Sequence, residues 1–461
     1  MLESRRVFCY KMKTKKLILV ISLLGISCLT FAQTKNPPYR RSSLYTIMIP
    51  TDKLEGEWRE IVTNTFDTLS IPDKYDDHNL SIRHLDLTKV QVTQEEIDAV
   101  SGPKGTKGFK GLMNKAKAIG KTLVNSSETG QMTDNERIAK MQKFFRTNHI
   151  ANQLIAKWFN KSSKKVNGSY FNVDLIIERG KLSATQEELN IASLQRGDAF
   201  ERVTRNAAEE LVPQTFIMLT SYAYISAEEA AQLVAAGAGV VGGSIGAYTA
   251  LGAQVAGTVT KGYVFTATSY LFQLKWDEET ALYFYDNYYD GKKDIKAFDT
   301  DDKFILNYVG RTTSLVSAGD FSLKDEKLKK YISIATERAT DQSIAKLQKK
   351  YEQFRALETL NVTPDGNTMY AYIGAKEGVK GGDKFEVLEN VIDDEGHSNF
   401  NHVGTIKVAK GKVWDNRAGA NENFHDGPGS KNIDIDPNAC YTTFEGKPKG
   451  KIEAGLVIRQ L

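Results

Sequence analysis

The chain has 461 residues, of which 41% are hydrophobic, 10% aromatic and 26% charged, with only 10 prolines. That length has room for about three domains of roughly 150 residues, and the composition excludes a disordered or collagen-like chain. The formal charge of +4 comes from the N-terminus: residues 1–32 hold six cations (Arg5, Arg6, Lys11, Lys13, Lys15, Lys16) and one anion, Glu3. The rest carries 55 cations against 56 anions, no excess with which to bind nucleic acid in general.

Lys15-Lys16 precede an apolar run from Leu17 to Leu29, and the small residues Thr30 and Ala32 frame a cut before Gln33. Positive charge, apolar run and small residues, in that order, read as a secretory signal peptide over 1–32. The run is shorter than the roughly 20 residues that span a bilayer. Met12 starts a tighter version of the same signal. Cys28 lies inside the run, but Gly25 stands where a lipid-attachment box prefers Leu. Removal of the signal takes Cys9 and Cys28 with it and leaves Cys440 as the single thiol, so stability rests on the core rather than on a disulfide.

Beyond the signal, Ser43–Ile49 predicts a strand, Leu54–Leu69 an amphipathic helix and Leu80–Leu87 a second strand. Residues 101–121 hold six lysines and no acid, a solvated linker that closes an N-terminal α/β segment over 33–130. A central α/β domain over 131–320 opens with a helix from Asn135 to Phe159, on whose spacing Ile138, Met141, Phe145, Ile150, Leu154 and Trp158 recur. A short apolar run, Phe171–Ile177, is followed by a helix from Thr185 to Leu211 and a strand from Thr215 to Ile225. The strand Tyr263–Trp276 then leads into the helix Asp277–Tyr289, and Phe304–Val316 adds one more strand. Alternation of strands with helices predicts a mixed sheet with flanking helices. The charged helix Asp325–Leu357, with alternating signs, reads as a connector over 321–358. From 359 to 461, short strands (Met369–Ile373, Lys384–Leu388, Gly404–Val408, Leu456–Arg459) and Gly-rich turns predict a small β-barrel, with a polar loop from Gly411 to Asp436.

Catalytic patterns are absent from the sequence. The six histidines are scattered without a Cys pair or His-Glu-x-x-His, and His397 with His402 lacks a third ligand at a defined spacing, so no metal site is expected. There is no Gly-x-Ser-x-Gly elbow. Gly120-Lys121-Thr122 lacks the first glycine of a phosphate loop, and Gly237-Ala-Gly239-Val-Val-Gly242 follows a helical stretch where a dinucleotide site needs a strand. No cofactor is expected. The tyrosine-rich run Tyr283, Phe284, Tyr285, Tyr288 and Tyr289 has helical spacing and reads first as core packing, with glycan stacking as the alternative.

The least ordinary stretch is Ala230–Thr260: 31 residues without a charge, seven of them Gly and nine Ala. Small residues recur every fourth position at Ala238, Gly242, Gly246 and Ala250, and again at Gly239, Gly243 and Ala247. As a helix this repeat forms a smooth face for a membrane or subunit contact, with a packed soluble helix or a loop between two strands as the plainer reading. The contact residues proposed from it are Ala238, Gly239, Gly242, Gly243, Gly246 and Ala250.

In order, residues 135–274 resemble the curli-secretion lipoprotein family: a helix, a strand with Ile177-Glu178-Arg179, a Gln186-Glu187-Glu188 helix, a strand, then an uncharged Gly-rich insertion. Residues 371–387, Ala-Tyr-Ile-Gly-Ala-Lys-Glu-Gly-Val-Lys-Gly-Gly-Asp-Lys-Phe-Glu-Val, resemble the small β-barrel that ends flagellar-assembly T-type proteins, a pattern that returns at Gly404–Ile406 and Gly455–Ile458. The resemblance implies a non-enzymatic accessory of envelope assembly or secretion. Such a protein is exported to the periplasm or the periplasmic face of the outer membrane, and meets envelope proteins or its own copies. The rival expectation is a secreted glycan-binding or glycan-processing protein.

Overall fold

The structure is a computed structural model. It describes residues 42–461 apart from 52–53, 70–74, 77–79, 101–131, 166–167, 173–210, 227–262, 290–293, 318–324, 356, 364–365, 393–397, 421–433 and 447–455. The described residues fall within one unit, Pro38–Leu461.

The first sheet has the order β2-β1-β3-β4-β5, built from β1 (Ser42–Ile49), β2 (Tyr75–Asp76), β3 (Thr215–Ser226), β4 (Tyr263–Leu274) and β5 (Leu306–Ser317). β1 runs parallel to β3, while β4 is antiparallel to both β3 and β5, which makes the expected mixed sheet. The apolar run Phe216–Leu219 suits the centre, where a strand is buried on both faces. Period-two alternation sorts its neighbours. Tyr45, Ile47, Ile217, Leu219, Tyr270 and Phe272 point into one core, under α3 (Asp134–Thr147) and α4 (Ile150–Trp158). Leu44, Met48, Phe216, Met218, Tyr222 and Leu271 point the other way, under α1 (Gly56–Thr68) and α7 (Asp325–Lys350). The remaining described helices are short: α2 (Gln94–Asp98), α5 (Glu278–Phe284) and α6 (Ile295–Phe298).

Three expectations change. The helix over 135–159 is two helices, because His149 takes a left-handed conformation (φ 46°) and Asn148 Nδ2 donates to the Phe144 carbonyl at 2.9 Å, ending α3. The strand over 80–87 is irregular chain with one parallel bridge, Met48 to His84. Ser81 at φ 59° and the turn capped by Asp86 interrupt it, although Leu80, Leu85 and Leu87 are buried. The connector helix ends at Lys350. The Lys-rich linker, residues 173–177 of the apolar run, the helix over 185–210 and the uncharged segment lie outside the described residues.

The second sheet has the order β6-β14-β9-β10-β13-β8-β7, with all its pairings antiparallel. Its strands are β6 (Glu358–Thr359), β7 (Asn361–Val362), β8 (Met369–Ala371), β9 (Lys384–Ile392), β10 (Ser398–Val408), β13 (Thr442–Glu445) and β14 (Val457–Gln460). A small pair, β11 (Val413–Trp414) and β12 (Ile435–Asp436), lies in the polar loop. The two edges of this sheet, β6 and β7, are halves of one extended stretch. Residue Leu360 between them is fully buried and donates its N–H to the Leu456 carbonyl at 2.7 Å. The sheet therefore curls back onto its own first stretch, around Ala371, Ile373, Phe385, Val387, Ile406, Val408, Phe444 and Ile458. The chain is thus α/β with a C-terminal barrel-like sheet.

Strand β5 is the long outer edge of the first sheet, a row of groups open to pairing with another chain. Helix α7 and the residue after it cover part of that row. Lys346 Nζ donates to the Thr313 carbonyl at 2.9 Å, Lys350 Nζ donates to the Arg311 carbonyl at 3.2 Å, and Tyr351 Oη accepts the Arg311 N–H at 3.2 Å. Between the pairs Leu271–Gly310 and Phe272–Tyr308, Val309 is bulged out. A Cβ at Gly310 would sit inside the Tyr351 phenol, so the close approach requires glycine. Gly310→Ala is expected to cost about 1–3 kcal/mol by overpacking, read as a lowered midpoint in urea with an unchanged slope.

Candidate functional site

Helix α7 holds the two sheets together, with different residues on its two faces. Towards the first sheet it presents Ile332, Ala335, Thr336, Ala339, Thr340, Ser343 and Leu347, all buried. Tyr222 Oη and Thr340 Oγ1 are 2.7 Å apart, and Ser343 Oγ lies 3.0 Å from Ser314 Oγ. Thr336, Thr340 and Ser343 also return their hydroxyls to carbonyls one turn back, so these polar side chains are buried without orphaned groups.

Towards the barrel α7 presents residues 334, 338, 341, 345 and 349, spaced as one helical face. Arg338, 2% exposed, donates Nε to the Ala418 carbonyl at 2.7 Å. Lys349 Nζ donates to the Gly378 carbonyl at 3.0 Å and lies 3.5 Å from Asp383. Opposite them the short turn Ala375–Glu377 is fixed by Asn416, whose Oδ1 accepts the Lys376 N–H at 2.8 Å. Glu377 Oε2 accepts from Gly374 N (2.7 Å) and Asn416 Nδ2 (2.8 Å). Arg417 grips Asp415 through Nε and Nη2, at 2.7 and 2.8 Å. Burial works to raise the Asp415 carboxyl, but the bonds and charge of Arg417 outweigh it and hold the group below its ordinary range.

Two groups in this joint are electrostatically unsettled. The first is Asp341, which faces Lys376 Nζ at 3.7 Å through one oxygen, while its Oδ2 is buried with no hydrogen-bond partner among the described residues. Burial pushes its carboxyl up to about 7; Lys376 opposes this, and Glu337 and Glu377 add to it. Nearby on the same helix, Lys346 is pushed down to about 8 by burial, with Lys380 adding.

The second group is Arg355, at the corner where the chain leaves α7 for the barrel. A small cleft of about 30 Å³ opens there, lined by Gln348, Lys349, Arg355, Glu358, Glu377 and Gln460 over Ile373, Val379, Phe385 and Ile458. Arg355 Nε is buried in it with no hydrogen-bond partner among the described residues, which costs on the order of 1–3 kcal/mol.

The sequence-derived candidates fall elsewhere. Ala238, Gly239, Gly242, Gly243, Gly246 and Ala250 lie outside the described residues, as do Gly120-Lys121-Thr122 and His397. The ends of the uncharged segment are nonetheless placed: Ser226 and Tyr263 are ladder partners, so residues 227–262 leave and return at neighbouring strand ends. His402 is exposed, 3.4 Å from Thr405 Oγ1, and no cluster of metal-ligating side chains occurs among the described residues. The tyrosine-rich run packs as core. Phe284 and Tyr288 are buried, while Tyr283, Tyr285 and Tyr289 are half-buried against the same cluster. Tyr283 and Tyr288 both donate to Asp301 Oδ2, at 2.7 and 2.5 Å. No helix among the described residues is long and apolar enough to cross a membrane. Comparison with known proteins finds no family model and no curated protein that matches this chain.

Asp341 sets a pH dependence whose sign follows from its raised carboxyl. A carboxyl near 7 when folded and about 3.8 when unfolded contributes stability that is complete below pH 3.8 and lost as pH rises through 7. Asp341→Asn is therefore expected to flatten the stability profile between pH 5 and 8. At pH 8 the variant should gain about 2 kcal/mol relative to wild type, compared with pH 5, in urea melts.

Proposed function

We propose that this chain is an exported, non-enzymatic accessory of envelope assembly or secretion, acting by protein contact at the periplasmic face of the outer membrane. The observation that carries the reading is the attachment of the uncharged segment. The longest charge-free stretch beyond the signal is strung between the paired ends of β3 and β4, two adjacent strands of the first sheet. A contact made there loads the sheet directly, and the sheet is tied through α7 to the barrel. In this reading Ala238, Gly239, Gly242, Gly243, Gly246 and Ala250 meet a membrane or a second subunit through close backbone approach. The signal-like N-terminus supplies the route of export.

The test is fractionation of the mature protein in its host, followed by detergent extraction and mass measurement of wild type, Gly242→Leu and Gly246→Leu. A membrane-associated oligomer that dissociates in both variants is the expected result. A monomer in the aqueous fraction, unchanged by either substitution, would overturn the reading.

A further inference from the structure

We propose that the seat of the barrel on α7 is a pH-sensitive joint: a protonated Asp341 carboxyl lets it close, and loss of that proton to solvent favours its opening while α7 stays on the first sheet. The inference is independent of the envelope reading, and it goes beyond the stability profile by assigning the effect to one interface. The Asp341 side chain is 10% exposed. One of its oxygens faces Lys376 Nζ at 3.7 Å, too far for a hydrogen bond, and the other is buried with no hydrogen-bond partner among the described residues. An ionised carboxylate accepts at both oxygens, so the closed joint gives that form one cation and leaves its acceptors unfilled.

The charges packed around Asp341 do not rescue the ionised form. On α7, Glu337 lies one turn before it, and Arg338 donates to the Ala418 carbonyl at 2.7 Å. The turn Ala375–Glu377 brings Lys376 and Glu377. In the loop after β11, Asp415 and Arg417 pair with each other at 2.7 Å. Burial is the main force against ionisation; Lys376 opposes it, and Glu337 and Glu377 add to it.

Opening falls on the barrel side because the two faces of α7 are held by different contacts. Ile332, Ala335, Ala339 and Leu347 bury apolar surface against the first sheet, and separation there would return it to water. On the barrel side, beside the close approaches of Ile334 to Gly419 and Ala345 to Gly378, the bonds run from Arg338, Lys349 and Lys376 to carbonyl and carboxylate oxygens, and water can replace them. The barrel has its own core of Ala371, Ile373, Phe385, Val387, Phe444 and Ile458, so it can part from α7 without unfolding.

Thiol labelling of the full chain, in a Cys440→Ser background, tests this. Ala345→Cys places a thiol in the joint and Ala339→Cys places one on the sheet side, both at buried positions. Rates with dithiodipyridine at pH 5 and 8, divided by those of the urea-unfolded chain at the same pH, give the opening equilibrium at each thiol. With the carboxyl at about 7 when closed and 3.8 when open, opening at Ala345→Cys should rise about hundredfold from pH 5 to 8, with a weaker urea dependence than at Ala339→Cys. Adding Asp341→Asn should remove the rise. Adding Lys376→Met, which takes away the one cation, should move the midpoint of the rise to higher pH, a shift that loss of a structural contact alone would not produce. Opening that is flat in pH, a rise that survives Asp341→Asn, or equal urea dependence at the two thiols would each overturn the proposal. Should Asp341→Asn not fold, Lys376→Met decides, and an unmoved midpoint overturns it.

Discussion

The packing of α7 on two partners at once is the constraint on which the described architecture depends. A helix that buries one face can be covered by a single sheet, but this one buries two and so couples a mixed sheet to a barrel. Close approach on both faces is made by small side chains: Ala335 and Ala339 towards the first sheet, Ala345 towards Gly378 of the barrel. The hydroxyls of Thr336, Thr340 and Ser343 fold back onto the helix's own carbonyls, so the polar residues enter the interior at little desolvation cost. The same helix lends Lys346 and Lys350 to the exposed carbonyls of β5, combining cohesion with protection of a sheet edge.

The joint with the barrel is held differently. Over the face of the sheet the contacts are apolar packing and neutral hydroxyls, with Lys346 and Lys350 reaching only its β5 edge, whereas on the barrel side charged groups aimed at backbone carbonyls and at one another predominate. Arg338, Lys349 and Glu377 are satisfied by defined partners, and the Asp415–Arg417 pair is satisfied internally. Asp341 and Arg355 depart from that pattern, each with a buried atom lacking a hydrogen bond among the described residues. Buried polar atoms are paired in the great majority of cases, so these two departures set the barrel side of the helix apart electrostatically from its sheet side.

A second concentration of structure surrounds the aromatic cluster beneath α4. Phe159, Phe171, Phe284 and Phe298 pack in tilted and edge-to-face pairs, with ring centres 4.4–6.1 Å apart. Asp301 receives the hydroxyls of Tyr283 and Tyr288, and Asn152 donates to the carbonyls of Phe298 and Asp301. The tyrosines thus satisfy their polar ends inside the domain, and the helix that suggested glycan stacking is committed to the core.

The local period of apolar residues was enough to place β1, β3, β4, β5 and α1, and the barrel's longer strands, because each buries one face or both and the alternation survives in the chain. The break at His149 was not legible, since apolar spacing continues through it. The strand Thr442–Glu445 has a period-two burial pattern but is four residues long, and β6 and β7 are shorter still, so the closing stretch of the barrel carried no signal. Helix α7 reads as a charged connector because most of its buried residues, such as Ala335, Thr336, Arg338, Ala339, Thr340 and Ser343, are small or polar. What the sequence by itself determined is therefore the class: a mixed α/β sheet followed by a small barrel, with an uncharged insertion between two strands. Tertiary structure alone decided which charges matter. Asp341, Arg338 and Arg355 are indistinguishable in sequence from their solvated neighbours in a chain that is 26% charged, and only the barrel pressed against α7 removes their water.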